Sequence, residues 1–295
     1  MPAFAALARE LGAVGGLRCA AEPTQRLAGA GASECYHWPC EDGALLVKVA
    51  PLARRAVLEA EAAGLGELAA ARALRVPRVR ASGVTDTAAF LALEWIEAAP
   101  ADAASERRLG EGLAALHAVT APRFGWQRDN TIGAAAQANG WLSEWPEFFR
   151  ERRLQPQLTL AVQNGFGGLL GEPGERLLEF VPRLLAAHAP PPSLLHGDLW
   201  GGNWLATAAG EPVIFDPAVY YGDRETDVAM TRLFGGFGAA FYRAYEAAAP
   251  LPAGARLRGE LYNLYHVLNH ANLFGGGYAR QARAMIDRLL AQLRG

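Results

Sequence analysis

Lysine is almost missing from this chain: Lys48 is the only one among its 28 basic residues. Set against 30 acidic residues, that basic count leaves no global positive field for nucleic acid or an anionic membrane. Long apolar runs are missing too. No segment reaches 18 apolar residues free of charge, so no membrane-spanning helix is predicted. Residues Met1 to Glu10 lack a charged stretch followed by a long apolar core, and do not read as a signal peptide. Cysteine is sparse: Cys19, Cys35 and Cys40 form an odd set without metal-ligand spacing, and read as free thiols in a reducing cytoplasm. What remains is a chain of 295 residues, long enough to bury a substantial core as one bilobed unit or two small domains.

Hydrophobic periodicity divides that chain unevenly. Residues 3–13 suggest a short amphipathic helix, and residues 25–50 alternate Gly-rich turns with strand-like runs that end in Leu45-Leu46-Val47-Lys48-Val49. A helix is predicted from Leu52 to Arg75, then two more strands at 77–79 and 88–95. The Ala/Pro stretch from Glu97 to Ala104 reads as a hinge. Beyond it the pattern is mainly helical: 105–120, most of 140–188, and two tail helices from Leu257 to Leu293 broken at Gly275-Gly276-Gly277. The expectation is an α+β chain with a small β-rich lobe over 1–97 and a larger, mainly helical lobe over 98–295.

The most specific stretch is His196-Gly197-Asp198-Leu199-Trp200-Gly201-Gly202-Asn203, followed by Phe215-Asp216-Pro217. An Asp, an Asn five residues on and a second Asp beyond are what a kinase site needs. The first accepts a hydroxyl proton; the other two hold metal. Asp198 is the candidate general base, and Asn203 and Asp216 the candidate Mg²⁺ ligands, since that hard cation prefers oxygen donors. Each residue alone could be an ordinary turn residue; the three together at these offsets are not so easily dismissed. His196 reads as a packing residue that holds the loop.

Upstream lies a matching nucleotide half. Gly29-Ala30-Gly31-Ala32-Ser33 is a turn between two strands where backbone can approach phosphate, although no Walker motif closes it. Lys48 sits within an apolar strand, where a charge is costly unless paired. Glu61 supplies the partner, because it shares a helix face with Leu65 and Leu68. Leu93-Glu94-Trp95-Ile96 precedes the hinge, and backbone groups at Glu94 and Ile96 are candidates to meet an adenine edge. The kinase layout therefore implies ATP with Mg²⁺.

These residues resemble one family, the fructosamine kinases or ketosamine-3-kinases. The likeness is carried by His196 to Asn203, by Phe215 to Gly222 running into Asp227, by segments from Phe124 to Gln157, and by Tyr265 to His270 with Phe274 to Tyr278. It spans nearly the whole chain and implies a protein-kinase-like fold related to aminoglycoside phosphotransferases. The implied activity is ATP-dependent phosphorylation of the sugar 3-hydroxyl of ketosamines, small or protein-bound, which promotes deglycation. Trp200, Tyr220, Asn130 and Gln137 are then candidate substrate residues, with Trp141, Trp145 and Tyr221 as further aromatic platforms or simply core. Asp227 resembles the Asp that anchors a kinase catalytic loop, Asp223 to Glu225 braces it, and His266 with His270 reads as a satisfied polar network near the pocket. Alternatives are a kinase for an aminoglycoside, choline or a sugar, or a pseudokinase that only binds. Sequence leaves the oligomeric state open.

Overall fold

The computed structural model describes residues 4–27 and 33–292, so Gly29 and Gly31 of the predicted phosphate turn lie outside the described residues. Helix α1 (Phe4–Gly15) is followed by strands β1 (Gln25–Leu27), β2 (Glu34–Cys40) and β3 (Gly43–Pro51). Helix α2 (Arg55–Ala71) and strands β4 (Val79–Val84) and β5 (Ala88–Glu94) complete this half. The strands form one antiparallel sheet in the order β1-β2-β3-β5-β4. Side chains alternate across a strand. Leu45, Val47 and Val49 of β3 therefore join Tyr36, Trp38, Phe90 and Ala92 on one face, which α1 covers with Leu7 and Leu11. Lys48 is left on the other face, where α2 packs Leu58, Leu65 and Leu68 against Leu91 and Leu93. The pleat aims the only lysine at α2.

Helix α2 is shorter than the predicted 52–75 span. A 3₁₀ turn at Leu52–Arg54 precedes it, and Arg72 ends it in the left-handed conformation. Helix α3 (Ala103–His117) starts at a reciprocal cap: Ser105 N–H donates to the Asp102 carboxylate at 2.7 Å and Asp102 N–H to Ser105 Oγ at 2.9 Å. Strands β6 (Asn130–Ile132) and β7 (Ala135–Gln137) form a small hairpin. Helices α4 (Trp145–Phe149), α5 (Gln155–Ala161) and α6 (Gly167–Leu185) follow, joined by widened π turns at Arg150–Leu154 and Val162–Phe166.

Strands β8 (Ser193–Leu195), β9 (Trp204–Ala206), β10 (Pro212–Ile214) and β11 (Tyr220–Gly222) make two short antiparallel pairs. Four helices close the chain: α7 (Glu225–Leu233), α8 (Ala239–Ala248), α9 (Ala255–Phe274) and α10 (Gly276–Ala291). The fold is α+β, an antiparallel sheet followed by a mainly helical region. One hydrophobic core runs through both, from Leu65 and Leu91 to Leu113, Phe148, Leu177 and Leu268. No described helix is long and apolar enough to cross a membrane.

One expectation is corrected. Cys19 and Cys40 are joined by a disulfide, and only Cys35 is a free thiol. Residues 18–20 run along the end of β2, with Ala20 N–H donating to Pro39 C=O at 2.9 Å and Glu41 N–H to Arg18 C=O at 2.8 Å. That added edge sets the two cysteines opposite each other, a long-range pairing that residue counting misses.

Candidate active site

Two hairpin-like pairs bring the predicted trio together. Ile214 lies opposite Trp204 in β9–β10, and the ladder continues one step further as Phe215 N–H donates to Asn203 C=O at 3.0 Å. Asn203 and Asp216 thus sit at the same end of one hairpin. The β8–β11 pair holds the other side: Leu195 faces Tyr220, and Ala218 N–H donates to His196 C=O at 2.9 Å. Gly197 turns the chain between them at φ +82°, and a Cβ there would meet Ala218 O at 2.1 Å, so only glycine fits. Gly202 is needed for another reason, since its missing Cβ makes room for the Trp200 ring.

The loop is held from below by a buried carboxylate. Asp227 Oδ2 accepts from His196 N–H at 2.7 Å and Oδ1 from Gly197 N–H at 2.9 Å. His117 Nε2 of α3 lies 3.2 Å from Oδ2, and its Nδ1 lies 2.8 Å from the Tyr245 hydroxyl. Burial works against the Asp227 charge, but His117, His196 and the Gly197 amide prevail and hold its carboxyl below the ordinary value. His196 is itself fully buried. Its Nε2 lies 2.9 Å from Phe215 C=O, and its Nδ1 accepts from Asp198 N–H at 3.2 Å, which assigns the proton to Nε2.

Asp198 projects from this frame. Asn203 Nδ2 donates to its carbonyl at 2.8 Å and to its carboxylate Oδ2 at 3.3 Å. Burial pushes the Asp198 carboxyl up to about 7, and the charge of Asp216 adds to that against the Asn203 hydrogen bond. Asp216 takes the left-handed conformation, φ +54°, unusual for a residue other than glycine. Its Oδ1 accepts from Lys48 Nζ, which also donates to Glu61 Oε1 at 2.7 Å. The predicted Lys48–Glu61 pair is therefore present and extends to Asp216, tying the sheet to the catalytic hairpin. Burial opposes the Lys48 charge, yet the two carboxylates override it and raise the ammonium above its usual value. Burial also lifts the Glu61 carboxyl, with Lys48 pulling against it.

These groups face one cavity of about 740 Å³, which also takes in Ser33, Asn130 and Trp200. Four proposed residues are placed elsewhere. Glu94 spends its carboxylate on Arg75 at 2.7 Å and Arg78 at 3.2 Å, and its N–H on Arg78 C=O. Neither Glu94 nor Ile96 lines the cavity. Tyr220 points into the core because β11 alternates: its ring stacks on Phe148 at 5.8 Å, with the Arg153 guanidinium carbon 3.9 Å from its centre. Gln137 is buried one layer back, donating to Asn130 Oδ1 at 2.8 Å and accepting from the Tyr265 hydroxyl at 2.7 Å. Asn130 does line the cavity, its amide fixed by Val219 C=O, Gln137 and Asn139.

Trp145 is core, hydrogen-bonded to the Tyr262 hydroxyl at 2.9 Å. Asp223 and Glu225 brace the loop's exit as expected: Asp223 receives Tyr262 at 2.7 Å, and Arg258 grips Glu225 with two nitrogens. Phe234, Phe274 and Tyr278, to which the sequence reading gave no site role, wall the cavity beside Trp200 together with His270, which was expected near the pocket. Their ring centres lie 4.6 Å apart for Phe234–His270, 5.1 Å for His270–Tyr278 and 6.3 Å for Trp200–Phe234. The signal was there: His270, Phe274 and Tyr278 recur at four-residue spacing. The expectation of a fully satisfied histidine pair also needs correction. His270 Nδ1 bonds His266 C=O at 2.9 Å, whereas His266 Nδ1 is buried without a partner among the described residues.

A buried Lys–Glu pair, a loop carboxylate, and an Asn and a second Asp beside it around one cavity are the layout of a phosphotransferase of the kinase fold. The comparisons agree. Solved structures of aminoglycoside phosphotransferase APH(4)-Ia share the fold at 16% identity and a TM-score of 0.63, covering 97% of this chain and 98% of that one, for a complex with AMP-PNP and hygromycin B. The fructosamine kinase family pattern matches residues 4–292, and the chain belongs to that family. It is 48% identical over 235 residues to the "probable ketoamine kinase" slr1563 of Synechocystis, covering 79% of each chain. It is 39% identical over 261 residues to the chloroplastic protein-ribulosamine 3-kinase of Arabidopsis thaliana, covering 88% of this chain and 79% of that protein. A crystal structure of a Haemophilus somnus "putative fructosamine-3-kinase" superposes with a TM-score of 0.89 at 28% identity over 97% of both chains.

Proposed function

We propose that the protein transfers the terminal phosphoryl group of ATP, with Mg²⁺, to the sugar 3-hydroxyl of ketosamines, the ribulosamine and fructosamine adducts of amines or protein lysines. Phosphorylation at that position promotes deglycation. The observation that carries the reading is the convergence of Asp198, Asn203, Asp216 and the Lys48–Glu61 pair on one cavity. Asp198 is the general base. It accepts the hydroxyl proton as the oxygen attacks phosphorus, and a carboxyl raised to about 7 is matched to neutral pH. Asn203 and Asp216 offer the oxygen donors that suit Mg²⁺, which when bound neutralises charge on the phosphoryl group. Lys48 and Ser33 border the nucleotide side, and Trp200 and Asn130 the acceptor side.

Within this family assignment the acceptor is argued from charge. An aminoglycoside carries several ammonium groups and calls for an acidic wall. Among the described residues the cavity's carboxylates are Glu61, Asp198 and Asp216, all belonging to phosphoryl transfer. A ketosamine carries one ammonium, for which an aromatic wall suffices. ATP supply makes the setting cytoplasmic, where the Cys19–Cys40 pair would be open to reduction.

The test is ATP turnover with ribulose-lysine, fructose-lysine, free ribose and kanamycin, wild type beside Asp198→Asn. Phosphorylation of a ketosamine that Asp198→Asn abolishes is the expected result. No phosphorylated acceptor with Mg²⁺-ATP, or intact turnover in the variant, would overturn the kinase reading. Equal turnover of free ribose and ribulose-lysine would overturn the ketosamine assignment alone.

A further inference from the structure

His266, on α9, is 4% exposed, and its Nδ1 is shielded from solvent with no hydrogen-bond partner among the described residues. That nitrogen lies 4.0 Å from Asp198 Oδ1. Burying a polar nitrogen unpaired costs about 1–3 kcal/mol, so a partner gained in another state is the natural reason to keep it. Asp198 is the carboxylate that the geometry offers, and its other oxygen is already held by Asn203 at 3.3 Å. Tyr265 packs edge-on against the ring at 5.1 Å, and the residue's backbone carbonyl is held by His270. Burial keeps the imidazole neutral, far below its ordinary value at about 3, so it carries one N–H.

We infer that His266 is a positioning residue for the proposed phosphoryl transfer, its Nδ1–H closing onto Asp198 Oδ1 when nucleotide and acceptor are bound. The inference rests on the kinase reading above. A carboxylate held on one oxygen only can rotate about its Cβ–Cγ bond. Held by Asn203 on Oδ2 and by His266 on Oδ1, its plane is fixed while it takes the acceptor's proton. Catalytic hydrogen bonds shorten on formation of the reactive complex, and closure from 4.0 Å to a normal bond needs a shift of about 1 Å. His266 touches neither acceptor nor nucleotide in this scheme and acts through Asp198.

Two measurements test it. The first compares His266→Leu, His266→Asn and His266→Gln in steady-state ketosamine phosphorylation, with melting curves to confirm folding. His266→Leu is expected to lower kcat about 10–100-fold with little change in KM for either substrate. His266→Asn places an amide nitrogen near the Nδ1 position and is expected to recover most of the loss; His266→Gln reaches toward Nε2 and is not. An unchanged kcat in folded His266→Leu, no rescue by asparagine, or an effect confined to KM would overturn the inference. The second measurement needs no turnover. In the ¹⁵N imidazole spectrum of the wild type, His266 must carry its proton on Nδ1, and its signal must move in Asp198→Asn. An Nε2–H tautomer overturns the inference even if wild type phosphorylates nothing, an outcome that would separately sink the kinase reading.

Discussion

Replacing Asp227 by asparagine changes one atom, yet the geometry around it makes the change costly. The carboxylate accepts three hydrogen bonds, from His196 N–H, Gly197 N–H and His117, at a fully buried site. An asparagine offers one oxygen. With its amide nitrogen in place of Oδ1, Gly197 N–H faces another N–H; in place of Oδ2, His196 N–H does. Either way one buried backbone donor is orphaned, at about 1–3 kcal/mol, and the surviving bonds lose charge assistance worth about 1 kcal/mol each. The expected destabilisation is about 3–5 kcal/mol, on the order of 10 °C in melting temperature for a chain of this size. Urea titration of wild type and Asp227→Asn measures it.

The pH dependence gives a second check on the same prediction. The folded-state carboxyl of Asp227 is held below its ordinary value, so its contribution is present above the unfolded pKa, about 3.9, and is lost as pH falls through the folded one. The gap between wild type and Asp227→Asn should stay constant from about pH 5 upward and narrow below about pH 4. A gap under about 0.5 kcal/mol at pH 7, or one that widens in acid, refutes the account of the loop's anchor.

Two other substitutions follow from the same geometry. Glu61→Gln keeps the shape and an accepting oxygen but leaves Asp216 as the only charged partner of Lys48 among the described residues. It is expected to lower kcat/KM for ATP about 10–100-fold, read by initial rates at varied ATP, and an unchanged value removes Glu61 from the site. Gly197→Ala forces a side chain into the left-handed region and against Ala218 O, and is expected to cost at least about 3 kcal/mol in urea titration.

Chemistry confined to short range was legible in the sequence. Asp198, Asn203 and Asp216 are brought together by one hairpin and its flanking turn, and the alternation of β3 fixes where Lys48 points. What the sequence concealed depends on pairings between distant segments. The disulfide needs residues 18–20 beside the end of β2. The spent N–H of Glu94 needs the chain at Arg78 alongside it. Strand alternation could have warned that Tyr220 and Tyr221 point opposite ways, but not that Tyr220 enters the core while the Tyr221 hydroxyl donates to Glu67 at 2.7 Å, away from the cavity. The aromatic wall required knowing that α9 and α10 meet the catalytic loop.

Arg153 explains why two polar-looking substrate candidates lie a layer too deep. It is fully buried, and no carboxylate pairs with it among the described residues. Ala138 C=O at 2.6 Å, Arg152 C=O at 2.9 Å and Asn139 Oδ1 at 2.7 Å accept from it, and the faces of Tyr220 and Phe148 flank it. A buried cation without an anion is expensive, and these three acceptors and the two ring faces offset only part of that cost, since the Arg153 Nε is buried without a partner among the described residues. Here the charge fixes Asn139, whose Nδ2 donates to Asn130 Oδ1 at 2.8 Å, while Gln137 holds the same oxygen and receives Tyr265. Tyr220 and Gln137 are therefore spent on setting one side chain, Asn130, at the cavity surface. This wall of the cavity is built from the inside outward, by a cation whose partners are carbonyls and rings, and it adds no carboxylate to the side where the proposed acceptor would lie.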